Sequence, residues 1–133
     1  MQRTVWLITV AVLAGLLALW LLAFARPYSF HGSLIEPPVA APPIELTRAD
    51  GSLYRLSDQQ GKVTLIFFGY TTCPDFCPTT MAEMKRVKAD LSAYADRLDV
   101  VFITVDPQRD TPERIQSYAA GFDPQFIGLS GSE

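Results

Sequence analysis

The stretch KVTLIFFGYTTCPDFCPTTM, residues 62–81, contains the sequence signals from which the fold is predicted. Its first part, Val63–Phe68, is a continuous apolar run without period-two alternation, which is typical of a strand buried on both faces. Pro78 fits the first helical position, where its missing N–H costs nothing, and Cys77 would then be the N-cap. The stretch therefore predicts a strand, a short loop with both cysteines of the chain, and a helix.

Two further strand and helix signals follow this stretch. The first helix should turn an apolar stripe towards a sheet, formed by Met81, Met84, Val87, Leu91 and Tyr94. Leu98–Val105 reads as a second buried strand, and residues from Phe126 onward as the start of a third. Between them, Thr111-Pro112-Glu113 opens a second helix. Its inward face would be Ile115, Tyr118 and Ala119, with Gly121 as its end.

This order of elements predicts an α/β fold. Strands that alternate with helices form parallel sheets with right-handed crossovers. In such sheets ligands bind beyond the carboxyl ends of the strands. The cysteine loop follows the first strand and DPQRD, Asp106–Asp110, follows the second, so we expect the two loops to face each other at one edge.

The residues before the sheet divide into three segments. Residues 1–26 contain an apolar run, Val5–Ala25, long enough for a membrane anchor, since about 20 apolar residues cross a bilayer. A cleaved signal peptide is the alternative, because Ala23–Ala25 resembles a cleavage site. Residues 27–43 form a Pro-rich stalk that holds the only histidine, His31. Residues 44–133 form the domain, and its first part predicts a hairpin with its turn at Ala49–Gly51.

Composition and topology limit the function classes. Weak positive-inside evidence from Arg3 favours export of the domain, to the periplasmic or extracytoplasmic side if the source is bacterial. Residues 27–133 carry nine basic and fourteen acidic side chains, a net charge of −5, with no basic run. This composition gives no electrostatic support for nucleic-acid binding. Outside the cytoplasm, two thiols tend to be oxidised to a disulfide.

The spacing of Cys73 and Cys77 leaves several chemistries open. An ordinary disulfide, a redox pair and a metal site all fit a C-x-x-x-C spacing. A helix N-terminus would favour the Cys77 thiolate, while Asp75 opposes it. Two thiolates form a soft site that suits Cu(I), whereas zinc normally takes four ligands. Asp106 either lines such a site or ends a strand in a turn, with Arg109 and Asp110 as a surface pair, and we favour the turn.

The blocks GKVTLIFFGYTTCPDFCPTTM and VDPQRDTPERIQSYAAGFDPQFIGLSGS resemble the Sco/SenC family of membrane-anchored copper chaperones. The similarity runs from about Ile44 to Ser132. It implies a thioredoxin-like fold behind a single N-terminal transmembrane helix. It also implies copper binding by Cys73 and Cys77, and delivery of copper in the assembly of cytochrome c oxidase. The implied partners are the copper-containing oxidase subunit or other copper proteins.

One departure from the family pattern concerns the third copper ligand. The resemblance implies a histidine well beyond the GFDPQFIGL segment, and His31 does not match that position. We therefore expect an incomplete thioredoxin-like domain with two of three copper ligands. The leading prediction is a Cu(I) metallochaperone and not an enzyme. The alternatives are a membrane-tethered thiol-disulfide oxidoreductase that uses the same two cysteines, and a truncated remnant without function.

Overall fold

The computed structural model describes residues 2–25 and 30–131. The chain divides into two compact units, one up to Ala40 and one from Ala41 onward. In the first unit, α1 (Gln2–Phe24) is apolar along its whole length and buries none of its residues. Its length and composition are sufficient for a membrane span. Residues 30–43 are exposed and contain neither helix nor strand, while residues 26–29 lie outside the described part of the chain.

The second unit contains five strands and two α-helices within the described residues. In chain order they are β1 (Glu45–Thr47), β2 (Leu53–Arg55), β3 (Val63–Gly69), α2 (Phe76–Asp90), β4 (Leu98–Thr104), α3 (Pro112–Ala120) and β5 (Ile127–Leu129). Short 3₁₀ turns occupy Leu56–Gln59 and Ser92–Arg97. The predicted hairpin is confirmed, because β1 and β2 pair antiparallel around a turn in which Gly51 has a positive φ of 78°.

The remaining three strands form a parallel sheet in the order β3-β4-β5. Val63 pairs with Leu98 at one end of the β3–β4 ladder and Gly69 with Thr104 at the other, so the two strands are in full register. Both crossovers run in the same direction across the sheet, and right-handed connections then place α2 and α3 on the same face. The predicted α/β fold with a parallel sheet is confirmed.

The central strand β4 separates two apolar cores, because its side chains alternate between the two faces of the sheet. On the helical face the core consists of Met81, Leu98, Val100, Phe102, Ile115, Ala119 and Phe126. On the other face the hairpin packs over the sheet, and the core there consists of Tyr54, Val101, Ile103 and Leu129. A bridge between Thr47 and Ser130 joins the hairpin to the end of β5.

The start of α3 matches the prediction from sequence. Thr111 is the N-cap, its hydroxyl accepts a hydrogen bond from the Arg114 N–H at 3.3 Å, and Pro112 occupies the first turn. Ile115 and Ala119 are buried, and Gly121 is the C-cap.

Two predictions about β3 and the start of α2 were wrong. β3 is only partly buried, and its residues Val63 and Phe68 are largely exposed. The reason is that, within the described residues, β3 lies at the edge of the sheet. The helix α2 begins at Phe76 with Asp75 as N-cap, so Cys77 lies inside the first turn. Pro78 still fits, since any of the first helical positions lacks an N–H partner within the helix.

The apolar stripe predicted for α2 holds only for its first half. Met81 and Met84 pack on the helical-face core, but Val87, Leu91 and Tyr94 are exposed. The helix ends at Asp90, so the 3.6-residue period does not extend to the last two. Lys88 is buried instead, and its ammonium group donates to the Leu98 carbonyl at 3.2 Å.

Candidate functional site

The cysteine loop connects the carboxyl end of β3 to the first turn of α2. After Gly69, the chain makes a tight turn from Tyr70 to Cys73, closed by a hydrogen bond from the Cys73 N–H to the Tyr70 carbonyl at 3.2 Å. Asp75 and Phe76 then lead into the helix, and the Phe76 ring is 80% exposed. The loop therefore presents Cys73 from a turn and Cys77 from a helix.

The two cysteines lie side by side as free thiols. The Cys77 N–H points at the Cys73 sulfur, with 3.4 Å between nitrogen and sulfur. Cys73 is partly exposed, whereas Cys77 is only 4% exposed. One sulfur is therefore open to solvent and the other is packed against the sheet.

Gly69 makes the space in which the Cys77 sulfur lies. A Cβ atom at this position would be 2.9 Å from the Cys77 sulfur and 2.6 Å from the Phe102 ring. Both distances are shorter than van der Waals contact, so a side chain at residue 69 would displace the sulfur or the ring. The glycine that ends β3 is thus part of the cysteine site.

The pKa values of the two thiols are shifted in opposite directions. The hydrogen bonds from the Cys77 side chain and backbone lower the pKa of Cys73. Burial raises the pKa of Cys77, and its hydrogen bond to Cys73 raises it further. Cys77 was predicted to be the N-cap, with the helix N-terminus favouring its thiolate and Asp75 opposing it, but it is a buried residue of the first turn. Burial there outweighs the benefit of the helix N-terminus.

Tyr70 contributes to the environment of both sulfurs, and it was not identified as a site residue from the sequence. The charge of Cys73 and a hydrogen bond to its sulfur raise the pKa of the Tyr70 phenol. The backbone N–H of Tyr70 lowers the pKa of Cys77, which limits the effect of burial. Aromatic residues at strand ends are common, so no sequence signal distinguishes this tyrosine.

The loop after β4 meets the cysteine loop, as predicted. The Val105 N–H donates to the Gly69 carbonyl at 2.9 Å, which extends the β3–β4 ladder to the site. The Asp106 carbonyl accepts hydrogen bonds from the N–H groups of Arg109 and Asp110, and its carboxylate pairs with the Arg109 guanidinium. The turn interpretation of Asp106 is therefore confirmed.

Asp110 is not part of a surface pair, which corrects the second half of that prediction. Its side chain is 1% exposed, and it accepts hydrogen bonds from the Thr71 N–H at 2.8 Å, from the Thr71 hydroxyl and from the Thr104 hydroxyl at 2.8 Å. The Arg114 guanidinium lies 3.6 Å from the same carboxylate. Burial alone would raise the pKa of Asp110, but these hydrogen bonds and the Arg114 charge lower it below its usual value.

No further metal ligands join the two cysteines within the described residues. Across residues 2–25 and 30–131, no three His, Cys, Asp or Glu side chains are grouped as metal ligands would be. His31 is exposed and belongs to the first compact unit, whereas Cys73 and Cys77 belong to the second. The site therefore offers a pair of sulfur donors.

Comparison with known protein families identifies the family of this chain. The family model described as SCO1/SenC matches residues 34–133. The chain belongs to the SCO1/SenC family. A SCO2-like protein of Rickettsia felis is 36% identical over 132 residues, which cover 96% of this chain and 64% of that protein.

Two solved Sco structures resemble the fold described above. ScoI of Bradyrhizobium japonicum with copper bound is 44% identical, with a TM-score of 0.64, and the match covers 71% of this chain and 60% of that one. BsSco is described as a member of the Sco family of cytochrome c oxidase assembly proteins, with a disulfide switch. It is 26% identical with a TM-score of 0.58, over 69% of this chain and 56% of that one. The chain thus spans less than two thirds of the length of these relatives.

Proposed function

We propose that this chain is a membrane-anchored copper metallochaperone that binds Cu(I) through Cys73 and Cys77. The observation that carries the proposal is the contact between the two free cysteines, where the Cys77 N–H lies 3.4 Å from the Cys73 sulfur at the ligand-binding edge of the sheet. Thiolates are soft donors that select Cu(I) among the first-row metals. The copper-bound state of ScoI, a 44% identical relative, supports the choice of metal.

The chemistry of the two sulfurs fits a cargo site. Cu(I) accepts low coordination numbers, so two thiolates suffice to hold it. The lowered pKa of Cys73 favours its thiolate, whereas burial raises the pKa of Cys77 and makes the loss of its proton on metal binding less favourable. The partly exposed Cys73 gives an acceptor protein access to the metal, and the buried Cys77 gives the chain a fixed second donor.

The acceptor in this proposal is a copper protein of the respiratory chain. Its support is the membership of the SCO1/SenC family, together with the description of BsSco as belonging to a family of cytochrome c oxidase assembly proteins. The copper-containing subunit of the oxidase is the acceptor that we propose. Transfer then requires that thiol or imidazole ligands of the acceptor replace Cys73 first and Cys77 second.

The proposal also assigns roles to the N-terminal segments. Residues 1–26 anchor the chain through the apolar helix α1, residues 27–43 act as a stalk, and residues 44–133 form the copper-binding domain. The domain lies on the exported side of the membrane, where the acceptor presents its copper site. The length and composition of α1 support the anchor.

A Cu(I) titration of the full-length chain tests the proposal. The reduced protein, solubilised in detergent, competes for Cu(I) with a chromophoric chelator, and Cys73→Ser, Cys77→Ser and the double variant serve as controls. We expect one Cu(I) per wild-type chain and a large loss of affinity in each single variant. Equal copper uptake by the double variant would show that the cysteines are not the site.

A second function is favoured by the asymmetry of the two thiols. An exposed cysteine with a lowered pKa beside a buried cysteine with a raised pKa is the arrangement of a thiol-disulfide oxidoreductase. The Cys73 thiolate would attack a substrate disulfide and release one substrate thiolate. Cys77, losing its proton, would then attack the Cys73 sulfur and release the second. The substrate gains two electrons and the pair becomes a disulfide.

The reduction potential separates this second function from a structural disulfide. An oxidoreductase pair should equilibrate with glutathione, whereas structural disulfides have potentials below about −300 mV. A reduction potential below about −300 mV would exclude the oxidoreductase function. It would not affect the copper proposal, which concerns the reduced pair.

A further inference from the structure

Asp110 holds the turn from which Cys73 projects, and nothing in the proposed copper chemistry requires a buried carboxylate at this place. Its side chain is 1% exposed, although isolated carboxylates are almost never buried this completely. Its carboxylate oxygens accept hydrogen bonds from the Thr71 N–H and from the hydroxyls of Thr71 and Thr104. The carboxylate therefore joins the cysteine loop to the end of β4.

The contact with Thr71 fixes a specific part of the loop. Thr71 is the first of the two residues inside the turn that the Cys73 N–H closes on the Tyr70 carbonyl. Asp110 binds both the backbone N–H and the hydroxyl of Thr71, so it restrains the backbone and the side chain of that residue. The orientation of the turn, and with it the position of the Cys73 sulfur, depends on this contact.

Other elements hold Asp110 itself in place. Its N–H donates to the Asp106 carbonyl at 2.9 Å, and its own carbonyl accepts a hydrogen bond from the Ser130 hydroxyl at 3.1 Å. From α3, the Arg114 guanidinium donates to the Thr71 hydroxyl at 2.9 Å and lies 3.6 Å from the carboxylate. Asp110 thus links the turn to β4 and α3 through its side chain, and to Ser130, directly after β5, through its backbone carbonyl.

The two cysteines depend on this arrangement to different degrees. Cys77 is positioned by the first turn of α2 and by its packing against Phe102 and Gly69. Cys73 lies before the helix, so its backbone is positioned by the turn, while its sulfur also accepts the Cys77 N–H. The distance between the two sulfurs therefore depends on how firmly the turn is held.

We propose that Asp110 is a positioning residue for the cysteine pair, holding the Thr71 turn so that the Cys73 sulfur stays close to Cys77. Two groups held close together act as if each were at high effective concentration for the other. Loosening the turn lowers this concentration and weakens every state that joins the sulfurs, whether through copper or through a disulfide. The copper part of this inference rests on the proposed function, whereas the disulfide part does not.

The test uses Thr71→Val in the full-length chain, with Thr71→Ser as the matched control. Valine keeps the shape of threonine and the backbone N–H but loses the hydroxyl, while serine keeps the hydroxyl. Leu98→Val, at the opposite end of β4, reduces stability in the core without touching the loop. The first readout is the equilibrium in which one Cys73–Cys77 disulfide and two glutathione thiols give two cysteine thiols and one glutathione disulfide.

We expect Thr71→Val to shift this equilibrium about tenfold towards the cysteine thiols, equivalent to about 30 mV in reduction potential. Thr71→Ser and Leu98→Val should stay within about twofold of wild type. The second readout, Cu(I) affinity by chelator competition, should fall about tenfold in Thr71→Val only. If Thr71→Val does not fold, Thr104→Val with Thr104→Ser as its control takes its place, since Thr104 binds the same carboxylate.

Two results would overturn the inference. Either Thr71→Val matches wild type in the glutathione equilibrium, or it shifts no more than Leu98→Val does, in which case the contact acts through stability alone. If the wild type binds no Cu(I), the proposed function is wrong, and the glutathione equilibrium alone decides the role of Asp110.

Discussion

The two thiols of this site differ in the atoms that surround their sulfurs. The Cys77 sulfur occupies the volume that a side chain at residue 69 would fill, and the surrounding protein raises its pKa. The Cys73 sulfur is open to solvent on one side and accepts the Cys77 N–H on the other. Burial of Cys77 and hydrogen bonding to Cys73 therefore shift the two pKa values in opposite directions.

An alkylating reagent should react with Cys73 before it reacts with Cys77. Because hydrogen bonding from Cys77 is the main cause of the lowered pKa of Cys73, iodoacetamide should modify Cys73 at a lower pH than an ordinary cysteine. In Cys77→Ala the side-chain hydrogen bond is lost, and the pH midpoint of Cys73 alkylation should rise. Rates measured from pH 5 to 10, with peptide mass spectrometry to locate the label, check both expectations. Preferential labelling of Cys77 would contradict them.

Replacing Gly69 by alanine should disturb the pair directly. The added Cβ would come within 2.9 Å of the Cys77 sulfur and 2.6 Å of the Phe102 ring, so the core has to shift. Overpacking of this kind costs about 1–3 kcal/mol in the free energy of unfolding. Urea unfolding of the full-length chain in detergent measures it. Gly32→Ala is the control, since a Cβ there has no neighbour within 4 Å. Equal stability of the two variants would show that the site accommodates the methyl group.

Asp110 should make the stability of the protein depend on acid pH. Its pKa is lower in the folded protein than the value of about 3.9 expected in the unfolded chain. Its contribution is therefore fully present above that unfolded value and is lost as the pH falls through the folded pKa. The free energy of unfolding should decrease below about pH 4 in wild type and decrease less in Asp110→Asn. Parallel pH curves for the two proteins would argue against this assignment.

Among the elements, α3 does more than cover the sheet. It approaches β5 so closely that a Cβ on Gly128 would lie 2.5 Å from the backbone of Ile115. The Gln116 side chain binds the Phe126 carbonyl and the Gly128 N–H at 3.0 and 2.9 Å, which satisfies backbone groups of β5. Its first turn also carries Arg114 towards Thr71. One short helix thus connects β5 to the cysteine loop.

Removing the cap of α3 should have a measurable cost. Thr111→Ala deletes the hydroxyl that accepts the Arg114 N–H, and such losses cost about 0.5–2 kcal/mol. Thr111→Ser keeps the acceptor and should remain near wild type. Urea unfolding of both variants provides the comparison. If Thr111→Ala is as stable as Thr111→Ser, the cap has no effect on stability.

The helices and strands were largely predictable from the sequence, because apolar runs and helix caps are local signals. The cap of α3 at Thr111 and the parallel strands were correct for that reason. Asp110 was misjudged as a surface residue, since its partners Thr71 and Thr104 are separated from it by 39 and 6 residues and only the fold brings them together. The raised pKa of Cys77 could not be predicted from the sequence, because its burial beside Gly69 is equally non-local.

For the whole molecule, the proposed topology can be tested with its own cysteines. If α1 anchors the chain with the domain exported, a membrane-impermeant maleimide should label Cys73 in intact cells that have first been treated with a membrane-impermeant reductant. Cys73→Ser should abolish most of the labelling, since Cys77 is buried. In a Cys73→Ser/Cys77→Ser background, Gln2→Cys should be labelled only after lysis. Labelling of Cys73 only after lysis would place the domain on the cytoplasmic side.

The placement of both cysteines in one loop also has a consequence for folding in an oxidising compartment. With two cysteines in 133 residues, there is one intramolecular pairing and therefore no wrong disulfide within the chain for an isomerase to correct. The remaining hazard is cross-linking between chains. Because Cys77 is buried and Cys73 is accessible, such a dimer would form through Cys73 alone and leave the second thiol free to release it.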